Sequence, residues 1–284
     1  MSHSVAHRET SLLGSLFDDA ALFPPGNASM DQGVRSHLKH LRSWHADFVG
    51  PFVCSHHRLF ELEQVLCEVG VRSFDVIVTV PEGPLALPDA LATAGECRSV
   101  QLVAVEVPHS GVTPAQIVEF VRIHAAPSAV FVEIPIPELT GALATELATC
   151  GLRAKLRTGG TTAVAFPSEP ALAAALAALV AARVTFKCTG GLHSAVRHRD
   201  DATGFEHQGF LNIALAVREL HRAAAPTAVE AVLADGDAAR IARLTGELTS
   251  TEIAGVRSLF QSFGTCSIDE PLSDLLHLGL VEPP

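Results

Sequence analysis

The sequence predicts an α/β fold: a (β/α)8 TIM barrel with an extra helical insertion between strands seven and eight. Three observations carry that expectation. Short runs rich in Val, Ile or Phe recur along the chain, and most are followed by a Pro, Gly or His turn. Segments of helical periodicity lie between them. One run, its turn, the helix and the return together take roughly 25–35 residues, the length of a βαβ unit. Seven such units in one chain favour a closed barrel over an open sheet.

The expected strands are Gly14–Phe23, Phe48–Cys54, Phe74–Val80, Val100–Val107, Ala129–Ile134, Ala154–Leu156 and Val184–Cys188. They are nearly continuous in apolar residues, as parallel strands covered by helices are. Helical patterns fill the gaps at His57–Val69, Pro114–His124, Glu138–Cys150 and Glu169–Ala182. Two segments compete for strand eight, Gly209–Asn212 and Leu259–Ser267. The second is preferred, with a short helix at Glu270–Leu278 after it. Residues 192–256 then hold the exit loop of strand seven, helix seven at about 209–224, and extra helices such as Ala228–Leu244. A connection of that length reads as a cover over the site or as a brace for the barrel. Residues 1–284 form one domain in this reading.

Composition narrows the function classes. The 284 residues are 48% hydrophobic and 18% charged, which excludes a disordered chain. The formal net charge of -11 argues against nucleic acid and anionic lipid as partners. No uncharged apolar run of about 18 residues signals a membrane span. Met1 to Arg8 lack the apolar core of a secretion signal. The cysteines Cys54, Cys67, Cys97, Cys150, Cys188 and Cys266 are scattered without a C-x-x-C pair, so reduced thiols in a cytoplasm are expected. Homo-oligomerisation stays open.

The chain has three lysines, Lys39, Lys155 and Lys187. Lys39 sits in an amphipathic helical pattern and reads as solvated. Lys155 and Lys187 lie inside predicted strands six and seven, and each is followed closely by Thr-Gly-Gly. Burying an ammonium costs several kcal/mol unless it is paired. Two inward lysines on strands about 4.8 Å apart would repel, and that lowers one pKa and yields an amine nucleophile. The plainer alternative is a structural ion pair with Glu106 or Glu133.

These residues carry a resemblance to the class I deoxyribose-phosphate aldolase family. Lys155-Leu156-Arg157-Thr158-Gly159 resembles the strand-six K-x-x-T-G of that family, whose lysine forms the Schiff base. Phe186-Lys187-Cys188-Thr189-Gly190-Gly191 resembles its strand-seven F-K-x-x-G-G, whose lysine depresses the pKa of the first. Phe17-Asp18-Asp19-Ala20-Ala21-Leu22-Phe23-Pro24 is similar to its opening I-D-H-T-L-L-x-P, and Val130-Phe131-Val132-Glu133 to its strand-five V-I-x-E. Phe263-Gly264-Thr265-Cys266-Ser267 resembles its phosphate-binding strand-eight I-G-T-S-S.

The resemblance implies a Schiff-base lyase acting on a small carbonyl substrate, with or without a phosphate, and needing no cofactor. Lys155 would be the nucleophile and Lys187 its neighbour, with Asp18, Glu106, Glu133 and His193 as candidates for proton transfer. Arg157, Thr158, Gly159, Gly160, Gly190, Gly191, Gly264, Thr265 and Ser267 would hold the substrate or its phosphate at the carboxyl ends of the strands.

The departures bear on the substrate. The strand-four relay Asp of the family falls near Leu102, and Glu106 is expected on the same strand face by alternation. The strand-one Thr is Ala20. The chain has no Tyr, so the C-terminal tyrosine of the family has no counterpart. The segment 192–256 is foreign to it.

The chain also has 14 histidines. His56, His57, His109, His193, His198 and His207 could, with Glu106 and Glu133, assemble a His/carboxylate metal site, which defines an alternative: a metal- or acid/base-dependent lyase or isomerase. A non-catalytic ligand-binding relative is the third reading. No metal is assigned from spacing alone.

Overall fold

The computed structural model describes residues 11–122 and 129–284. The first strand is shorter than expected: β1 is Phe17–Asp19. The rest of the wall follows as β2 (Val49–Ser55), β3 (Phe74–Thr79), β4 (Val100–Pro108), β5 (Ala129–Ile134), β6 (Arg153–Arg157) and β7 (Phe186–Thr189). A small hairpin, β8 (His198–Arg199) and β9 (Glu206–His207), precedes the eighth wall strand, β10 (Phe260–Thr265). The eight wall strands are parallel and close in the order β1-β10-β7-β6-β5-β4-β3-β2.

Helices α1 (Met30–His40), α2 (Leu59–Glu68), α3 (Leu87–Glu96), α4 (Pro114–Arg122), α5 (Gly141–Cys150) and α6 (Glu169–Ala182) cover the outside in turn. Residues 123–124, expected to end the fourth helix, lie outside the described residues. Local chemistry sets several boundaries. Ser29 and Gln32 form a capping box that starts α1, and Ser168 accepts from Ala171 N to start α6. Gly151 at φ 67° ends α5 in the left-handed conformation. Outward strand residues such as Phe52, Val76, Val105, Val132, Leu156 and Phe186 are buried against the helices.

Residues 163–182 are long and apolar enough, by composition, to cross a membrane. They break into a 3₁₀ turn at Ala163–Ala165 and α6, whose Leu172, Leu176 and Leu179 are buried in the barrel core.

Gly209–Asn212 is no strand. It opens α7 (Phe210–His221), and strand eight is the later segment. The expected helix over 228–244 is two helices, α8 (Pro226–Leu233) and α9 (Ala238–Gly246), because Asp237 caps a new start through Arg240 N. A further helix, α10 (Ser250–Leu259), leads into β10, and α11 (Asp269–His277) follows it. Every residue of α7 from Phe210 to Arg218 is buried. It packs against α6, α8, α9, α10 and β10, so the insertion covers a helix that is buried on all faces. Asn212 fastens the cover: Oδ1 accepts from Arg197 N at 2.8 Å, and Nδ2 donates to the carbonyls of Val232 and Asp235.

Candidate active site

Strand alternation turns both apolar and charged side chains into the barrel lumen. Val53, Ile77, Ala104, Ala129 and Phe131 form a small buried apolar cluster apart from the main core. Against it stand six charged side chains from β1, β4, β5, β6 and β7, with Lys187 Nζ 5.5 Å from the centroid of the Phe131 ring.

These six form one alternating chain. Arg157 Nε lies 2.9 Å from Glu133 Oε1, and Glu133 Oε2 lies 2.8 Å from Lys155 Nζ. Lys155 Nζ lies 2.6 Å from Glu106 Oε2. Glu106 Oε1 and Asp18 Oδ2 each lie 2.5 Å from Lys187 Nζ. Ser262 Oγ donates to Asp18 Oδ2 at 2.7 Å and ends the chain. Side-chain exposure falls along it, from 50% at Arg157 through 24% at Glu133 and 9% at Lys155 to 1% at Lys187 and Asp18. Lys155 is therefore the amine nearer to solvent, and Lys187 is sealed below it.

The strands explain the arrangement. Lys155 and Lys187 are register partners on β6 and β7, as the sequence led one to expect. Their ammonium groups share Glu106, one carboxylate oxygen each. The expected repulsion between two unpaired ammonium groups is thereby replaced by attraction through a common anion, the pairing with Glu106 and Glu133 that the sequence left as its plainer alternative. Burial pulls the Lys187 ammonium down, but the adjacent Asp18 and Glu106 carboxylates override it and hold its pKa above the usual lysine value. Burial pushes Glu106 up, yet the two ammonium groups hold it down at about 2. Glu133 is held low in the same way by Lys155 and Arg157. Asp18 moves in the opposite direction: burial raises it despite Lys187.

Glu106 reaches this position through a bulge. Val76 pairs with Leu102, but Ile77 pairs with Ala104, leaving Val103 as the extra residue of β4. Leu102 consequently packs with the helix-side core while Ala104 faces the lumen. Leu102 and Glu106 are therefore on opposite faces, not on the same face as alternation implied. β1 has its own accommodation. A Cβ on Gly50 would collide with Asp18 Oδ1, so the neighbouring strand leaves the carboxylate room by having no side chain there.

The glycine-rich rim is packed upon itself. Thr158 Oγ1 donates to Gly190 O at 2.9 Å, and the Phe166 ring lies where side chains on Gly159 or Gly191 would project. Gly160 has Ala165 in the same relation, and Gly264 faces Thr189. These glycines let the exit loops of β6 and β7 touch. Phe166 continues into the hairpin, stacking near Phe205 and His207, and His207 Nδ1 lies 3.2 Å from Gly191 O.

His193 stands apart from the lysine chain. Its Nδ1 is 2.8 Å from Glu270 and 3.4 Å from Thr265 Oγ1. Thr265 Oγ1 donates to Ser267 O, and Ser267 Oγ accepts from Glu270 N. Ser267 also lines a cavity of about 260 Å³ with Asp19, Ser36, His40, Cys266 and Asp269, which none of the lysines reaches.

The expected His/carboxylate set does not come together as one site. Glu106 and Glu133 are engaged with the lysines, His109 lies 3.6 Å from Glu138, and His198 stacks with His207 in the hairpin. His56 and His57 do meet, on Glu82.

Sequence reasoning passed over Ser262, Glu82 and the buried pair of Asp19 Oδ2 and His37 Nδ1, 3.0 Å apart. Ser262 was legible as an inward position in strand eight, and Glu82 as a carboxylate just past the end of strand three. No protein-family model matches this chain, and no curated protein matches it either.

Proposed function

We propose that this barrel is a Schiff-base lyase in which Lys155 attacks the carbonyl carbon of a small substrate. Barrels of this kind commonly house enzymes, with the site at the carboxyl ends of the strands. The observation that carries the reading is the position of Lys155. It is the more exposed of two coupled lysines, with a half-buried carboxylate on its solvent side.

Glu133 takes the proton that Lys155 must lose before its lone pair attacks. The carbonyl oxygen gains protons and leaves as water, giving an iminium. Glu133, having returned its proton to the departing water, takes the proton of the substrate's β-hydroxyl; the bond between the α and β carbons breaks, its electrons flow into the iminium to give an enamine, the β carbon departs as a carbonyl product, and the enamine is protonated at the α carbon. Water hydrolyses the resulting imine and frees the second product. Lys187, fixed by Asp18 and Glu106, supplies a permanent positive charge beneath the reacting nitrogen. The apolar cluster that includes Phe131, against Lys187, strengthens these interactions by excluding water. The resemblance to the deoxyribose-phosphate aldolases supports the same assignment of the two lysines.

The test is trapping. Borohydride added with a small aldehyde such as propanal should add the mass of the reduced imine to the peptide containing Lys155, and Lys155→Ala should remove it. A second reading, a non-catalytic ligand-binding barrel, is favoured by the charge balance of the set, in which three cations face three carboxylates. Labelling confined to Lys39 would decide for it.

A further inference from the structure

On the opposite side of the barrel mouth from Lys155, the exits of β2 and β3 bring three metal-ligating side chains together. His56 and His57 occupy a single 3₁₀ turn, His56–Arg58, directly after β2. Glu82 lies in the turn after β3, whose ends are fixed by hydrogen bonds from Val80 N to Glu106 O and from Gly83 N to Val80 O. His56 Nε2 lies 2.8 Å from Glu82 Oε2, and His57 Nε2 contacts Glu82 Oε1. The two imidazole rings stack, with centroids 3.8 Å apart and planes at 37°. Both therefore present the same nitrogen in the same direction, and the three ligand atoms all lie within 4.8 Å of one another.

We propose that His56, His57 and Glu82 bind a divalent transition-metal ion of the zinc class. Two imidazoles and one carboxylate are a donor set suited to that class, at Zn–N distances of about 2.0–2.1 Å. A cation would take the place of the hydrogens that now join each ring to Glu82. Three protein ligands leave a fourth tetrahedral position for water or an anionic ligand, the pattern of open rather than purely structural zinc sites. Backbone supports the geometry on both sides. The histidines follow a wall strand without a loop, and Glu82 sits in the turn after β3 that the Val80 N to Glu106 O hydrogen bond ties to β4. His56 is 11% exposed and pre-positioned, while His57 at 60% and Glu82 at 44% leave a path for entry.

The test uses the full, untagged chain stripped with chelator and titrated with ZnCl2 by calorimetry, with CoCl2 absorption as a second readout. The expected result is one saturable equivalent of Zn2+ and visible Co2+ bands of low-coordinate geometry. His57→Ala and Glu82→Gln, both at exposed side chains, should each weaken binding by about tenfold or more, since even outer-shell changes cost that much. The double variant His198→Ala/His207→Ala should bind like the parent. Absence of a saturable equivalent in the folded parent overturns the proposal. So does binding that survives His57→Ala and Glu82→Gln, or that is lost in the hairpin double variant. Circular dichroism establishes that each variant is folded before it is titrated. Aldehyde trapping at Lys155 is read separately on the chelated protein, so failure of either idea leaves the other intact.

Discussion

Glu106 Oε1 on β4 lies 2.5 Å from Lys187 Nζ on β7, three strands away around the wall. The contact crosses the lumen, and the same carboxylate holds Lys155 with its other oxygen. Both lysines are thus tied to one anion, and their reactivities differ through depth.

That difference is measurable by chemical modification. Lys39 is exposed, Lys155 is nearly buried and Lys187 is sealed. Reductive methylation of the native protein, followed by peptide mass spectrometry, should label Lys39 and Lys155, and Lys187 only on unfolding. Equal labelling of Lys155 and Lys187 would contradict the depth order.

Removing the sealed ammonium should be costly. Lys187→Met leaves Asp18 and Glu106 buried without their shared cation, a loss of about 3–5 kcal/mol. Adding Asp18→Asn to Lys187→Met should recover part of it, because the two groups are in contact and their effects are not additive. Urea unfolding of the two single variants and the double variant measures the coupling. Strict additivity would mean that the pair is not coupled in the fold.

Acid should expose the role of Glu106. Its folded pKa of about 2 lies below its ordinary value of 4.5. The stabilisation is therefore fully present above pH 4.5 and is lost as pH falls toward 2. Its size is of the order of a few kcal/mol, at about 1.4 kcal/mol per tenfold change. Asp18, raised by burial, works in the opposite direction and offsets part of the effect. Unfolding free energies measured from pH 6 to pH 2 should fall more steeply for the parent than for Glu106→Gln. Parallel curves would place the acid sensitivity elsewhere.

Gly50 should tolerate no side chain while Asp18 is present. Gly50→Ala drives a methyl group into Asp18 Oδ1, and overpacking of this kind costs about 1–3 kcal/mol. The Asp18→Ala/Gly50→Ala double variant should lose less than the sum of the two single changes. Thermal unfolding of all three variants reads this directly.

Proton transfer in the proposed reaction gives a kinetic expectation. Glu133→Gln keeps the shape beside Lys155 but removes the base, and the rate of imine formation with propanal should fall about 10²–10⁴-fold. Arg157→Ala should change it far less, because Arg157 touches Glu133 and not the amine. A rate indifferent to Glu133→Gln would assign the proton to Glu106.

The wall of the barrel was legible because its signal is local. Val100–Pro108 and Ala129–Ile134 are runs whose turns and apolar content need no partner to be recognised, and both form strands at nearly the expected limits. The two lysines were legible for the same reason, as charges inside apolar runs. The bulge at Val103 was not. It inverts the facing of everything after it, and nothing in Gln101-Leu102-Val103-Ala104 marks which residue is extra. The break at Asp237 was missed although Asp235-Gly236-Asp237 carries a turn and cap signal, because apolar residues at helical spacing flank it on both sides. The bridging by Glu106 depends on three strands at once, and a linear reading compares only neighbours.

The charged set also has a consequence for how the protein is made. Asp18 comes from the first strand and Ser262 from the last, and they meet where the cylinder closes, β1 against β10. A nascent chain that has reached only β7 already contains Asp18, Glu106, Glu133, Lys155, Arg157 and Lys187, but it has no β10 to close the gap. Asp18 would face a water-filled seam there, and the most deeply held ammonium would be open to solvent. The site cannot be assembled by a half-barrel or by seven-eighths of one. Its burial reports that synthesis has passed β10 and that the long excursion of α7 to α10 has delivered that strand into place.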